Sequence, residues 1–184
     1  MPFEFMKTDI EGVTRLRAKV FGDERGYFFE IYKKSEFDKN GIIANLKQDN
    51  ESYSTRGVLR GLHYQRAPFA QGKLVRVTKG KIFDVAVDLR TGSKTLGKYV
   101  SAILSSENRE MLWIPEGFAH GFLALEDSIV SYKTTNEYDK KSEAGIVWND
   151  RNIDIKWPFT PESISEKDRA WPTSSNVLKE TEIM

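Results

Sequence analysis

The feature that most constrains this chain is a recurrence of short runs in which apolar and polar side chains alternate, each run closed by turn residues. Phe83, Val85 and Val87 alternate with Asp84, Ala86 and Asp88, and the valines of Lys73-Leu74-Val75-Arg76-Val77-Thr78 also alternate with polar residues. Successive side chains of a strand point to opposite faces, so such a run can bury one row and leave the other wet. Residues 27–32, 58–64, 99–104, 110–114, 118–125 and 129–135 read as further strands. Gly41, Lys79-Gly80, Thr91-Gly92, Pro115-Glu116-Gly117 and Trp157-Pro158 supply punctuation. Many short strands spaced by roughly 8–12 residues predict a β-sandwich or barrel. Helical signals are few. Ser35-Glu36-Phe37-Asp38 can cap a short helix ending at Gly41, and overlapping Ser-x-x-Glu and Ser-x-x-Asp patterns place one turn within 163–170. The expected fold class is all-β with a few short helices.

Composition narrows the function classes. Lys plus Arg number 28 against 27 Asp plus Glu, a net charge of +1, so neither nucleic acid nor a membrane surface is held here by bulk charge. The complete lack of cysteine excludes disulfides, thiolate catalysis, zinc–cysteine sites and iron–sulfur clusters. With two histidines, His63 and His120, an all-histidine metal site is nearly excluded as well. No linker, repeat or low-complexity block interrupts the chain. Residues 1–184 are therefore expected to form one unit, with a polar tail from about 172 that adds little. Acidic residues break the apolar character of the first residues, which do not read as a signal peptide. No stretch approaches the ~18 apolar residues of a membrane helix. A cytoplasmic location is the expectation.

The chemistry concentrates in Gly57-Val58-Leu59-Arg60-Gly61-Leu62-His63-Tyr64-Gln65. This string resembles the first motif of the cupins, double-stranded β-helix (jelly-roll) proteins, and Pro115-Glu116-Gly117-Phe118-Ala119-His120 resembles the second. Metal-binding cupins carry His-x-His followed by a glutamate; here Gln65 replaces the second histidine and residues 66–72 hold no glutamate. The pattern keeps the scaffold and drops the metal. Strand alternation puts His63 on one face with Gly61 and Gln65, and Arg60, Leu62 and Tyr64 on the other, unless a bulge intervenes. From spacing alone, His63 reads equally well as a core histidine satisfied by hydrogen bonds. Its neighbourhood is unusual, however: Arg60, Arg66, Lys73 and Arg76 crowd cations into strands that should be half buried. A cation beside an imidazole in a low dielectric disfavours the charged form of both, a conflict that an anionic ligand and a buried carboxylate would resolve.

A specific resemblance covers most of the chain, from about Phe21 to Asp168. The Gly57–Gln65 string, Gln71-Gly72-Lys73-Leu74-Val75, Asp84-Val85-Ala86-Val87-Asp88-Leu89-Arg90, Ile114–Phe122 and Tyr132-Lys133 are similar to the dTDP-4-dehydrorhamnose 3,5-epimerases. So are Asp23–Glu30, Gln48–Ser52, Trp148-Asn149-Asp150 and Ser165-Glu166-Lys167-Asp168. The resemblance implies a cupin-type jelly roll and a cofactor-free, metal-free isomerase. Such an enzyme inverts the two carbons flanking the C4 ketone of a thymidine-diphosphate 4-keto-6-deoxy sugar.

By the same resemblance His63 matches the catalytic base and Asp168 the carboxylate that pairs with it. Lys73 matches the cation facing the C4 oxygen, and Tyr132 the acid on the opposite face. Without the resemblance, Asp168 reads as a cap or solvated acid, Lys73 as a strand lysine and Tyr132 as core or rim. His120 is assigned a substrate-contacting role. Arg60 and Arg25, with Lys167, are candidates for the diphosphate, where a planar fork binds two oxygens. Tyr138 matches the aromatic that stacks on thymine, and Glu30, Gln48, Asn50 and Glu143 join the substrate-binding set. The family forms homodimers in which an N-terminal strand crosses over, so Phe21, Arg25 and Glu30 are expected to serve the neighbouring subunit. The alternatives are a C3-only epimerase, a metal-dependent cupin, and a non-catalytic sugar-binding jelly roll.

Overall fold

The computed structural model of the protein describes residues 2–177. Its elements run β1 (Phe3–Lys7), β2 (Thr14–Ala18), β3 (Phe21–Asp23), β4 (Gly26–Phe28), α1 (Lys34–Lys39), β5 (Gln48–Ser54), β6 (Val58–Gln65) and β7 (Lys73–Lys79). They continue with β8 (Lys81–Asp88), β9 (Tyr99–Ser105), β10 (Glu110–Ile114), β11 (Phe118–Ala124), β12 (Ser128–Thr134), β13 (Glu143–Gly145), β14 (Ser163–Ile164), α2 (Glu166–Arg169) and α3 (Ser174–Val177). Six strands form one sheet in the order β1-β2-β10-β7-β12-β5. A second sheet runs β13-β6-β11-β8-β9, with β14 added parallel to β6, and β3–β4 form a separate hairpin. No helix among the described residues is long and apolar enough to cross a membrane.

The alternating rows decide how the sheets pack. Val75, Val77, Leu112, Ile114 and Val130 of the first sheet meet Ile82, Ala86, Leu104, Phe118 and Phe122 of the second in one buried cluster. The opposite row of the second sheet is buried too: Leu62, Tyr64, Val85, Val87 and Ala119 are covered by Ala144, Ile146, Ile153 and Val177. With both faces covered, all seven residues of β11 are buried, His120 included. A third cluster seats α1 on the outside of the first sheet. Phe37, fully buried, meets Phe3, Phe5 and Tyr32 edge-on with centroids 4.7–5.4 Å apart. A ring buried this way contributes roughly 2–3 kcal/mol.

Four expectations need correction. The strand expected over 27–32 is only β4, after which Phe29, Ile31 and Tyr32 pack as irregular chain against the third cluster. The first helix is capped at Lys33 with no side-chain hydrogen bond, so Ser35 lies inside it and is not its cap. Strands β1, β2, β3, β5, β13 and β14 lie outside the predicted runs, and β14 occupies the start of the stretch read as a helical turn. The start of the polar tail is structural: α3 buries Ser174 and Val177, and Asp150 accepts from the Ser174 N–H (2.6 Å) and hydroxyl (2.9 Å). The remainder, 178–184, lies outside the described residues.

Candidate active site

The site begins with a defect in a ladder. His63 of β6 pairs with His120 of β11, but the next pairing joins Arg60 to Phe122, so Gly61 and Leu62 together face Gly121. Two residues opposite one is a β-bulge, which re-aims the side chains on either side. Only glycines fit there: a Cβ on Gly61, whose φ is +129°, would lie 2.5 Å from the Gly121 Cα, and one on Gly121 would lie 2.6 Å from the Arg60 carbonyl oxygen. The simple alternation that put Arg60 and His63 on opposite faces therefore fails. Both line one cavity of about 560 Å³, together with Lys73, His120, Tyr132, Lys167 and Asp168.

Asp168 reaches this cavity from the far end of the sequence because α2 presents it. Ser165 is the N-cap and its side chain accepts from the Asp168 N–H at 3.0 Å, so the Ser-x-x-Asp pattern orients the carboxylate. The parallel pairing of β14 with Val58 and Leu59 ties the segment to β6. Asp168 Oδ1 lies 2.6 Å from His63 Nε2, and Oδ2 accepts from the Gly61 N–H at 3.2 Å. Burial pushes the carboxyl up, but hydrogen bonds from His63 and Gly61 and the charge of His63 outweigh it, and Asp168 ends below the ordinary aspartate range. An ionised partner on Nε2 fixes the tautomer and leaves Nδ1 of His63 with a lone pair, on a ring whose side chain is 31% exposed.

Lys73 is buried, and its Nζ donates to the backbone carbonyl of His63 at 3.3 Å. Burial lowers its pKa from 10.5 to about 8, against the opposing pull of the Asp84 and Glu143 carboxylates. His120 has its own acid: Nε2 lies 2.8 Å from Asp84 Oδ1. Burial lowers the His120 pKa, although Asp84 resists. Asp84 is completely buried, and its Oδ2 has no hydrogen-bond partner among the described residues. It is an internal carboxylate set against His120 and the Lys73 ammonium, and it is not among the residues the sequence assigns. Sequence alternation sets Asp84 on the polar row of β8, yet that row, with Ile82 and Ala86, is the one turned into the cluster between the sheets. The Tyr132 phenol is pushed up, first by burial and further by Glu143, with Arg60 opposing.

Arg60 is held by Ser54 Oγ (2.9 Å) and the Tyr53 carbonyl (2.9 Å). Along the cavity margin runs a chain of contacts: Lys167 donates to Glu143, Tyr138 donates its hydroxyl to Glu143 (2.8 Å), and the Tyr138 N–H donates to Gln48 (2.8 Å). Gln48 in turn donates to Asn50 at 2.7 Å. Phe21, Arg25 and Glu30 are not brought into this cavity. Phe21 and Arg25 lie on the exposed β3–β4 hairpin, where Arg25 is paired with Asp23, and Glu30 faces Lys33.

Residues 7–176 match the family model described as dTDP-4-dehydrorhamnose 3,5-epimerase. The chain belongs to this family. It is 53% identical over 165 residues to the dTDP-4-dehydrorhamnose 3,5-epimerase of Shigella flexneri, covering 89% of this chain and 91% of that protein. It is also 53% identical over 173 residues to the Methanothermobacter thermautotrophicus protein of the same name, with 92% and 93% covered. Among solved structures, the Legionella pneumophila dTDP-6-deoxy-D-glucose-3,5-epimerase in complex with dTDP-4-keto-L-rhamnose superposes with a TM-score of 0.93 at 41% identity, over 99% of this chain and 97% of that one. The two packed sheets are thus the cupin jelly roll of these epimerases, and family membership makes this chain an isomerase.

Proposed function

We propose that the chain carries out cofactor-independent 3,5-epimerisation of dTDP-4-dehydro-6-deoxy-D-glucose to dTDP-4-dehydro-L-rhamnose, a step of dTDP-L-rhamnose biosynthesis. The observation that carries the reading is the joining of base and cation. The Lys73 ammonium is hydrogen-bonded to the backbone of His63, and His63 is held by an ionised Asp168 in the same cavity.

The C4 ketone acidifies the C–H bonds at both C3 and C5. His63 Nδ1 takes the proton, and the C–H electron pair moves into the ring while the carbonyl π pair moves onto O4. Asp168 stabilises the imidazolium that results. Lys73 meets the charge developing on O4. A fixed cation in a water-poor site favours the enolate over the neutral ketone, which lowers the barrier and does not merely tighten binding. The Tyr132 phenol, kept protonated by its raised pKa, delivers a proton to the opposite face as the enolate collapses to the ketone. The phenolate then regains a proton from water and His63 releases its own, so the net result is inversion with no redox change. Repetition at the second carbon needs no new group.

Arg60 and Lys167 take the diphosphate, while Tyr138, Gln48, Asn50, Glu143 and His120 contact the rest of the nucleotide sugar. The chain works as one unit in a cytoplasmic homodimer, in which Phe21, Arg25 and Glu30 reach the partner's site. The exposure of Phe21 (50%), Tyr27 (60%) and Phe28 (66%) on a hairpin that also carries an exposed arginine supports that arrangement.

Proton NMR in deuterium oxide tests the reaction. Deuterium should enter both C3 and C5 of the dTDP-sugar. Label at C3 alone would reject double epimerisation, and no label at either carbon would reject catalysis.

A further inference from the structure

We infer that Trp171 is a positioning residue for the acid–base pair: its indole, seated on the bare backbone of Gly145, braces the His63 ring against Asp168. The inference rests on the epimerase reading for its meaning but not for its geometry. Gly145 is the residue of β13 directly opposite His63 in the β6 ladder. A Cβ there would lie 2.6 Å from two atoms of the Trp171 ring, so the absent side chain is the seat of the indole. From that seat the indole meets the imidazole edge-on, with centroids 6.1 Å apart and planes at 70°. The chain immediately beyond is pinned, because the Val147 N–H donates to the Pro172 carbonyl at 2.9 Å.

The imidazole needs such a brace. A single hydrogen bond through Nε2 leaves the ring free to pivot about that contact, and nearly a third of the side chain is open to the cavity. Asp168, in contrast, is fixed at both oxygens. Trp171 is not among the residues that line the cavity, so the indole stands behind the pair as seen from it. Its Nε1–H is buried with no acceptor at hydrogen-bond geometry among the described residues, yet it is near enough to Asp168 to favour the ionised carboxylate. Lys167, the neighbour of Asp168 on α2, has its ammonium 5.6 Å from the indole centroid. One side chain thus touches the base and two residues of the helix that carries its partner.

Two variants test the role. Trp171→Ala should lower kcat by about tenfold, the scale of a modest loss of alignment, with KM within about twofold. Trp171→Phe, which keeps a ring on Gly145, should recover most of that loss. The bridging His63–Asp168 proton, read as a downfield proton NMR resonance, should persist in wild type and Trp171→Phe and be lost to exchange with water in Trp171→Ala. Wild-type kcat and an intact resonance in Trp171→Ala would overturn the inference. So would equal losses in kcat, KM and melting temperature that Phe does not rescue. The resonance is independent of turnover, so a wild-type chain that shows it but exchanges no substrate proton refutes the activity and leaves the positioning intact.

Discussion

Raising the pH through 8 should disable the enzyme while relieving a strain in its fold, because both effects pass through the Lys73 ammonium. Burial brings this group from 10.5 to about 8, with Asp84 and Glu143 holding it from falling further. At ~1.4 kcal/mol per pH unit, keeping it charged in the folded protein costs roughly 3 kcal/mol relative to the unfolded chain. Between pH 8 and 10.5 the unfolded chain binds the proton that the folded one has released, so the contribution of this group to stability rises with pH across that window. Activity moves the other way. The ammonium is about nine-tenths populated at pH 7 and about one-tenth at pH 9, so kcat/KM should fall close to tenfold per unit above 8. Tyr132 does not contribute this limb, since its pKa is pushed upward from 10.0. The assay is deuterium wash-in at low substrate from pH 6 to 10, alongside urea denaturation of the free protein. Lys73→Arg keeps its charge beyond pH 12, so its residual activity should have no limb near 8. A flat wild-type profile to pH 10, or the same limb in Lys73→Arg, would refute the assignment.

Other measurements probe the remaining parts. Asp168→Asn removes the charge that orients and stabilises the imidazolium, and kcat should fall by about 10²–10⁴ with little change in KM. Unchanged turnover would dismiss the pair. Exhaustive chelation should leave turnover unaltered; loss that is restored by a divalent cation would return the chain to the metal cupins. Asp88 accepts from Arg90, Ser93 and Thr95, which hold its pKa near about 2 against the desolvation that raises it. Its stabilisation, complete above the unfolded value near 3.8, should be lost as pH falls through 2. Asp88→Asn should therefore flatten the acid limb of a stability profile by roughly 2 kcal/mol.

The sequence made the buried strands visible and concealed the wet ones. β7, β8, β10, β11 and β12 declare themselves because an apolar row must face a core. β5 does not, because its inward row is Gln48, Asn50 and Ser52, polar residues along the cavity and its margin. A strand that serves the ligand gives up the very alternation by which strands are recognised. The bulge escaped for a related reason: Gly61 marks it, but only the pairing with Gly121 shows that Arg60 and His63 end on the same side. Most of the cavity-lining candidates were nevertheless reachable through family resemblance. Asp84 was not, because alternation assigns it to the polar row and only the packing of the two sheets turns that row inward.

The bulge also limits which residues the site tolerates at its crossing. With two glycine Cα positions nested backbone to backbone, the crossing of β6 and β11 has no side chain to trim or enlarge. A side chain added at either glycine would therefore push β6 and β11 apart and shift Arg60 and His63 together.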